Sequence, residues 1–141
     1  MFGIISNSSR QAVFIWDDAS NLYKISFVLI SGTIPTANAV QYRGNFSQNT
    51  WISKNGIYSG MRIKDLLKLN VNDFKFYGRD SEFSFMVVPE KTKYVDFTKL
   101  GVILGCFECN NSLLLDSVKV SAADAADVNL ALYVSCMMIK P

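Results

Sequence analysis

The sequence reads as a mainly β, α+β domain: a largely antiparallel, twisted sheet curled into a sandwich or partial barrel, with one short helix near 61–69 covering an opening. Apolar residues recur with a period of two along most of the chain, and clusters of turn-forming residues bound the runs. Only Met61–Leu69 shows helical spacing, with Ile63, Leu66 and Leu67 at i, i+3 and i+4. A chain of 141 residues has the size of a single domain with its own core, and no repeat, low-complexity tract or linker divides it.

Taken in order, Ala12–Trp16 is a short β-rich run closed by the turn-forming stretch 17–21, and Lys24–Ser31 follows as an apolar strand ending at Gly32. Pro35 lies in the connection, where it interrupts no ladder, and a third strand is expected near Ala39–Arg43. The strongest local signal is Trp51–Ser59, because Asn55-Gly56 is the favoured pair for a two-residue type I′ hairpin turn. That register sets Lys54 beside Ile57, Ser53 beside Tyr58 and Trp51 opposite Gly60. The helix comes next, with Lys64 and Lys68 on its other side and Asn70 expected to stop it in the left-handed conformation. So short a helix needs tertiary packing to persist.

A second hairpin is predicted from Asp73–Tyr77 and Glu82–Val88. If Gly78–Ser81 is its loop, Phe76 faces Phe83 and Phe74 faces Phe85, each aromatic pair stabilising the ladder by about 0.2–1 kcal/mol. Lys75 then pairs with Ser84 and Tyr77 with Glu82 on the wetter face. Beyond Pro89 follow a charged connection (Glu90–Lys93), an apolar strand (Gly101–Phe107), a weaker segment (Leu113–Val120) and an Ala/Asp turn or single helical turn (Ala122–Asp127). The chain closes with Leu130–Ile139. Runs apolar on both phases, such as 101–107 and 130–139, belong inside a sheet covered on both sides.

Composition restricts function. There is no histidine, which removes Ser-His and Cys-His nucleophiles, histidine general bases and histidine-containing zinc sites. Fourteen basic and 12 acidic side chains leave a net charge of +2, too little for a phosphate-binding field, so nucleic acid is not an expected partner. The tract Leu130–Ile139 is half the roughly 20 residues that span a bilayer, and it reads as a strand rather than a transmembrane segment. Met1–Ile15 lacks the basic start and long apolar run of a secretory signal, so the chain is expected to be cytoplasmic or a mature fragment.

Few constellations carry chemistry. Cys106-Phe107-Glu108-Cys109 admits three readings: cysteines without a chemical role, a structural disulfide, or a redox or metal pair. A continuing strand would point the two side chains to opposite faces, and only a turn would bring them together. With Cys136 the count reaches three sulfurs and no histidine, short of a zinc set. Asp80 with Glu82, or Asp17 with Asp18, are the nearest carboxylate pairs and read as solvated turn acids. Neither GxGxxG nor GxxxxGK[ST] occurs, and no cofactor or metal is expected. Trp51, Tyr58 and Tyr77 form a ligand platform only if they share a face. Tyr77, Arg79, Asp80 and Glu82 concentrate aromatic and charged groups on one exposed loop, which makes that loop the first-choice contact site.

At Trp51-x4-Gly56-Ile57-x2-Gly60-Met61-x4-Leu66-x2-Leu69-Asn70-x3-Phe74-x-Phe76-Tyr77-Gly78 the sequence resembles an uncharacterised family of small bacterial exported or lipoprotein β-rich domains. The likeness covers residues 51–78, with Val71 standing where that family usually has Gly after Asn. It implies a periplasmic or cell-surface location and assigns no activity. The leading expectation is a non-enzymatic binding module for a protein or cell-envelope component. Its rivals are a thiol redox or hydrolytic enzyme using Cys106 and Cys109 or a carboxylate pair, and an assembly subunit pairing through a sheet edge.

Overall fold

The computed structural model describes residues 2–5, 12–16, 20, 24–31, 51–106, 109–115 and 118–140. Its strands are β1 (Phe2–Ile5), β2 (Ala12–Trp16), β3 (Ile25–Ser31), β4 (Lys75–Tyr77), β5 (Leu100–Cys106), β6 (Lys119–Ser121) and β7 (Leu132–Ile139). Three short helices accompany them: α1 (Ile63–Asn70), α2 (Ser112–Leu115) and α3 (Ala122–Asp127). The fold is α+β and mostly β, with antiparallel pairing in a five-stranded sheet ordered β1-β2-β3-β7-β5 and a two-stranded sheet of β4 and β6. Among the described residues the sheet is not a closed barrel. Most of the turn at 17–21, Pro35, the strand expected near Ala39–Arg43, and Phe107 lie outside the described residues. β1 was not anticipated.

The doubly apolar run 130–139 becomes β7 and lies between β3 and β5, as its composition requires. Its side chains Leu132, Val134 and Met137 are buried. Between Ile103↔Cys136 and Leu104↔Val134 the register slips, leaving Ser135 as a bulge. At that bulge β7 changes partner on its other edge. Upstream, Gly60 N–H donates to the Val134 carbonyl at 2.7 Å and Val134 N–H to the Met61 carbonyl at 2.8 Å. Downstream, Met137 and Cys136 pair with Ile30 and Ser31 of β3. The Ser59 hydroxyl donates to the Ser135 carbonyl at 3.3 Å, so the one polar residue of the run marks the junction.

Gly105 faces Tyr133 across the β5–β7 ladder, and the Tyr133 ring lies over it. A Cβ at Gly105 would meet that ring at 2.6 Å, so glycine is required by the close approach. The two sheets are linked through residues 85–88. Val87 N–H donates to the Val102 carbonyl on one side, and Val88 N–H to the Lys75 carbonyl on the other. A single cluster of buried apolar residues, including Ile30, Ile57, Leu66, Phe76, Val102 and Val120, spans both.

Helix α1 begins at Ile63 instead of Met61, because Gly60–Arg62 is engaged with β7. It also runs one residue beyond expectation. Asn70 stays helical and buried, and Val71 takes the left-handed position with φ 67°. Asn70 does not terminate the helix because its amide serves the interior. Oδ1 accepts from the Thr92 hydroxyl at 2.6 Å and from Val95 N–H at 3.2 Å, while Nδ2 donates to the Asn72 carbonyl at 2.8 Å. The charged connection at 90–93 is thereby folded into a small turn, with Lys91 bridged to Asp96.

Both hairpins exist, but in other registers. Around Asn55-Gly56 the loop is Lys54-Asn55-Gly56: Gly56 N–H donates to the Ser53 carbonyl, Ser53 N–H to the Ile57 carbonyl, and Ile52 bridges Tyr58. Gly56 has φ 89° whereas Asn55 is not left-handed, so the type I′ geometry, which needs positive φ at both, is not formed. In the second hairpin Phe76 bridges Val87 rather than Phe83. Phe76 stacks on Phe85 at 6.4 Å, Phe74 packs on Phe97 at 5.3 Å, and Phe83 moves out to Tyr77 at 5.6 Å. Pairing of 85–87 with β5 and of β4 with β6 decides this register, since neither strand is free to follow the best aromatic match. The weak segment 113–120 divides into α2 and β6, and Ala122–Asp127 is the short helix α3, capped by Ser121.

Three stability changes follow. Val71→Gly relieves a β-branched residue from a left-handed conformation and stabilises the fold by about 0.5–1 kcal/mol, measured as a higher urea midpoint at an unchanged m-value. Gly105→Val displaces a buried tyrosine and costs about 1–3 kcal/mol in the same assay. Asn70→Ala leaves the Val95 N–H buried without its acceptor and costs about 1–3 kcal/mol, measured as a fall in Tm.

Candidate functional site

β4 leaves the sheet at Tyr77 and the chain makes a run of tight turns before returning at Phe85. Gly78 is buried and its N–H donates to the Val118 carbonyl at 3.1 Å; Arg79 N–H donates to the Leu114 carbonyl at 2.6 Å. Within the loop, Ser81 N–H donates to the Gly78 carbonyl, Ser84 N–H to the Ser81 carbonyl, and Phe83 N–H to the Ser81 hydroxyl at 3.2 Å. The Ser81 hydroxyl thus supplies one turn bond of the kind its side chain favours, and the other two are backbone to backbone. Phe85 absorbs the exit with φ 62°.

This framework holds Arg79, Asp80 and Glu82 exposed. Phe83 is 54% exposed and leans on Tyr77. The supporting segment adds two more apolar side chains. Leu114 is fully buried and anchors α2, while its neighbour Leu115 and the nearby Val118 are exposed. The carbonyls of Leu114 and Val118 are the acceptors that hold the loop, so loop and segment are tied at Gly78 and Arg79; exposed apolar groups come from both, and charged groups from the loop. Phe83, Leu115 and Val118 were missed because the sequence assigned Phe83 to the core and gave 113–120 no site. The available signal was the polar setting of Phe83, between Glu82 and Ser84.

Of the other expected site residues, Trp51 and Tyr58 stand on the 51–59 hairpin. Under the expected register they share a face. The observed pairing of Ile52 with Tyr58 shifts the hairpin by one residue, which sets Trp51 on the face opposite Tyr58. Tyr58 packs against the core and Trp51 is exposed. Tyr77 instead joins Phe83 on the loop.

The cysteine pair follows the turn alternative. β5 ends at Cys106, and Cys106 and Cys109 are joined by a disulfide with their Cα atoms 5.8 Å apart. In this state neither sulfur is a thiolate. Cys136 is free and half-buried, and burial pushes its thiol pKa up, outweighing a backbone hydrogen bond at Ile30 that lowers it. Among the described residues no three Cys, Asp or Glu side chains are grouped to hold a metal ion. The Asp96 carboxyl is held below its usual range, chiefly by the Thr98 hydroxyl that donates to it, in an exposed turn. Among the described residues no helix is long and apolar enough to cross a membrane. Compared with protein-family models, curated proteins and solved structures, the chain matches none of them.

Proposed function

We propose that this chain is a binding module that captures a protein partner on the surface made by the 77–84 loop and the α2–β6 segment. The observation that carries the reading is the half-exposed Phe83 ring tilted against Tyr77, on a loop whose backbone is bonded to its neighbouring segment at Gly78 and Arg79. An apolar, aromatic centre edged by Arg79, Asp80 and Glu82 has the anatomy of a protein interface, where aromatic and Arg residues dominate the energy and charged groups form the rim. Because the loop's turns are already formed, little ordering entropy opposes association. A cell-envelope component remains the alternative occupant, favoured by the resemblance over 51–78.

The test compares wild type with Phe83→Ser and with Arg79→Ala/Glu82→Ala, each immobilised and exposed to soluble and envelope extracts, with captured species identified by mass spectrometry. The variants alter exposed side chains and should keep the wild-type circular dichroism and Tm within about 1 kcal/mol of stability. Species captured by wild type should fall at least tenfold with Phe83→Ser, the effect of truncating an interface anchor. Identical capture profiles for all three proteins would reject this surface as the site.

A further inference from the structure

The segment supporting the loop starts at a covalent tie. Past Cys109, Asn111 opens α2: its Oδ1 accepts from Leu113 N–H at 2.9 Å and its carbonyl from Leu114 N–H at 3.0 Å. α2 has four residues and cannot be stable by itself, so its place depends on how the ends of the segment are held. One end enters β6, paired with β4 from Lys119 onward. The other is tied through Cys106 to β5, which is paired with β7 along its whole length. Between these anchors lie the two carbonyls, of Leu114 and Val118, that hold Arg79 and Gly78. Both cysteines are half-buried, which leaves their bond within reach of a dithiol.

We propose that the Cys106–Cys109 disulfide is a redox latch on the binding loop: closed, it fixes the α2 segment as the shelf for Gly78 and Arg79; opened, it loosens shelf and loop together and weakens partner capture. This concerns regulation of the surface described above and rests on that reading. In the opening step a small-molecule or protein dithiol transfers two electrons and two protons to the bond. The S–S bond breaks into two cysteine thiols while the dithiol closes into its own disulfide. With the latch closed the connection between fixed points is 110–118; with it open the connection is 107–118, and its starting anchor at Cys109 is lost.

Amide hydrogen exchange on the full chain, air-oxidised and in dithiothreitol, reads the latch without any partner. Reduction should speed exchange of the Gly78 and Arg79 amides about tenfold. The Val134 amide, bonded to Met61 inside the sheet, should not change. Cys106→Ser/Cys109→Ser should match reduced wild type under both conditions, and Cys136→Ser should respond as wild type does. Equal protection of Gly78 and Arg79 in the two redox states overturns the proposal, and so does a uniform acceleration that includes Val134. Three titratable thiols in the denatured, air-oxidised chain remove its premise. If the double variant does not fold, the two redox states of wild type still decide. Redox-dependent exchange together with unchanged capture by Phe83→Ser overturns the binding reading alone.

Discussion

The hydrogen bonding of β7 along both edges is the constraint on which the other elements depend. On one side it carries β5 from Leu100 to Cys106, with a one-residue slip at the Ser135 bulge; on the other it carries Gly60–Arg62 and then β3, exchanging them at the same bulge. An extra residue in one strand bends it and re-aims its bonding groups, which lets one edge serve two partners. Because Gly60–Arg62 is held in this way, α1 has to begin at Ile63, and its buried face, Ile63 and Leu66, is directed to the core. β5, fixed on the far side, then positions 85–87, which in turn positions β4 and β6.

The candidate surface lies at the end of that chain of dependence. Its charged side chains are solvated, and the order of the loop comes from backbone bonds to a segment far along the sequence. The loop is therefore as well placed as the β4–β6 pair and the α2 segment are, and no better. Buried Leu114 secures the segment from below, while the disulfide at the end of β5 secures it from the side. In the oxidised state Cys106 and Cys109 are bonded to each other, and burial pushes the thiol pKa of the remaining cysteine, Cys136, up.

Much of the architecture was legible because it rests on local periodicity. β2, β3 and β7 fall within the segments that apolar spacing marks, and β5 and α1 each overrun theirs by one residue, at Leu100 and Asn70. α3 forms in the Ala/Asp stretch expected as a turn or single helical turn, and the exposed loop at Tyr77–Glu82 was visible from its turn residues and charges. The errors share a form. The 51–59 turn, the Phe76 pairing and the end of α1 were each assigned by the best local partner, and each was decided by a distant one: the burial of Ile57, the β5 edge beside Val87, and the Thr92–Val95 turn around Asn70.

The sequence by itself determined the class of fold, the positions of most strands, the absence of histidine chemistry and the location of the charged loop, because these follow from composition and short-range spacing. Only the tertiary structure decided the registers, the left-handed turn at Val71, the exposure of Phe83 beside Tyr77 and the joining of Cys106 to Cys109. A one-residue slip changes the face of every side chain in a strand while leaving its local pattern intact. Register is therefore set by long-range pairing, and the candidate surface with it.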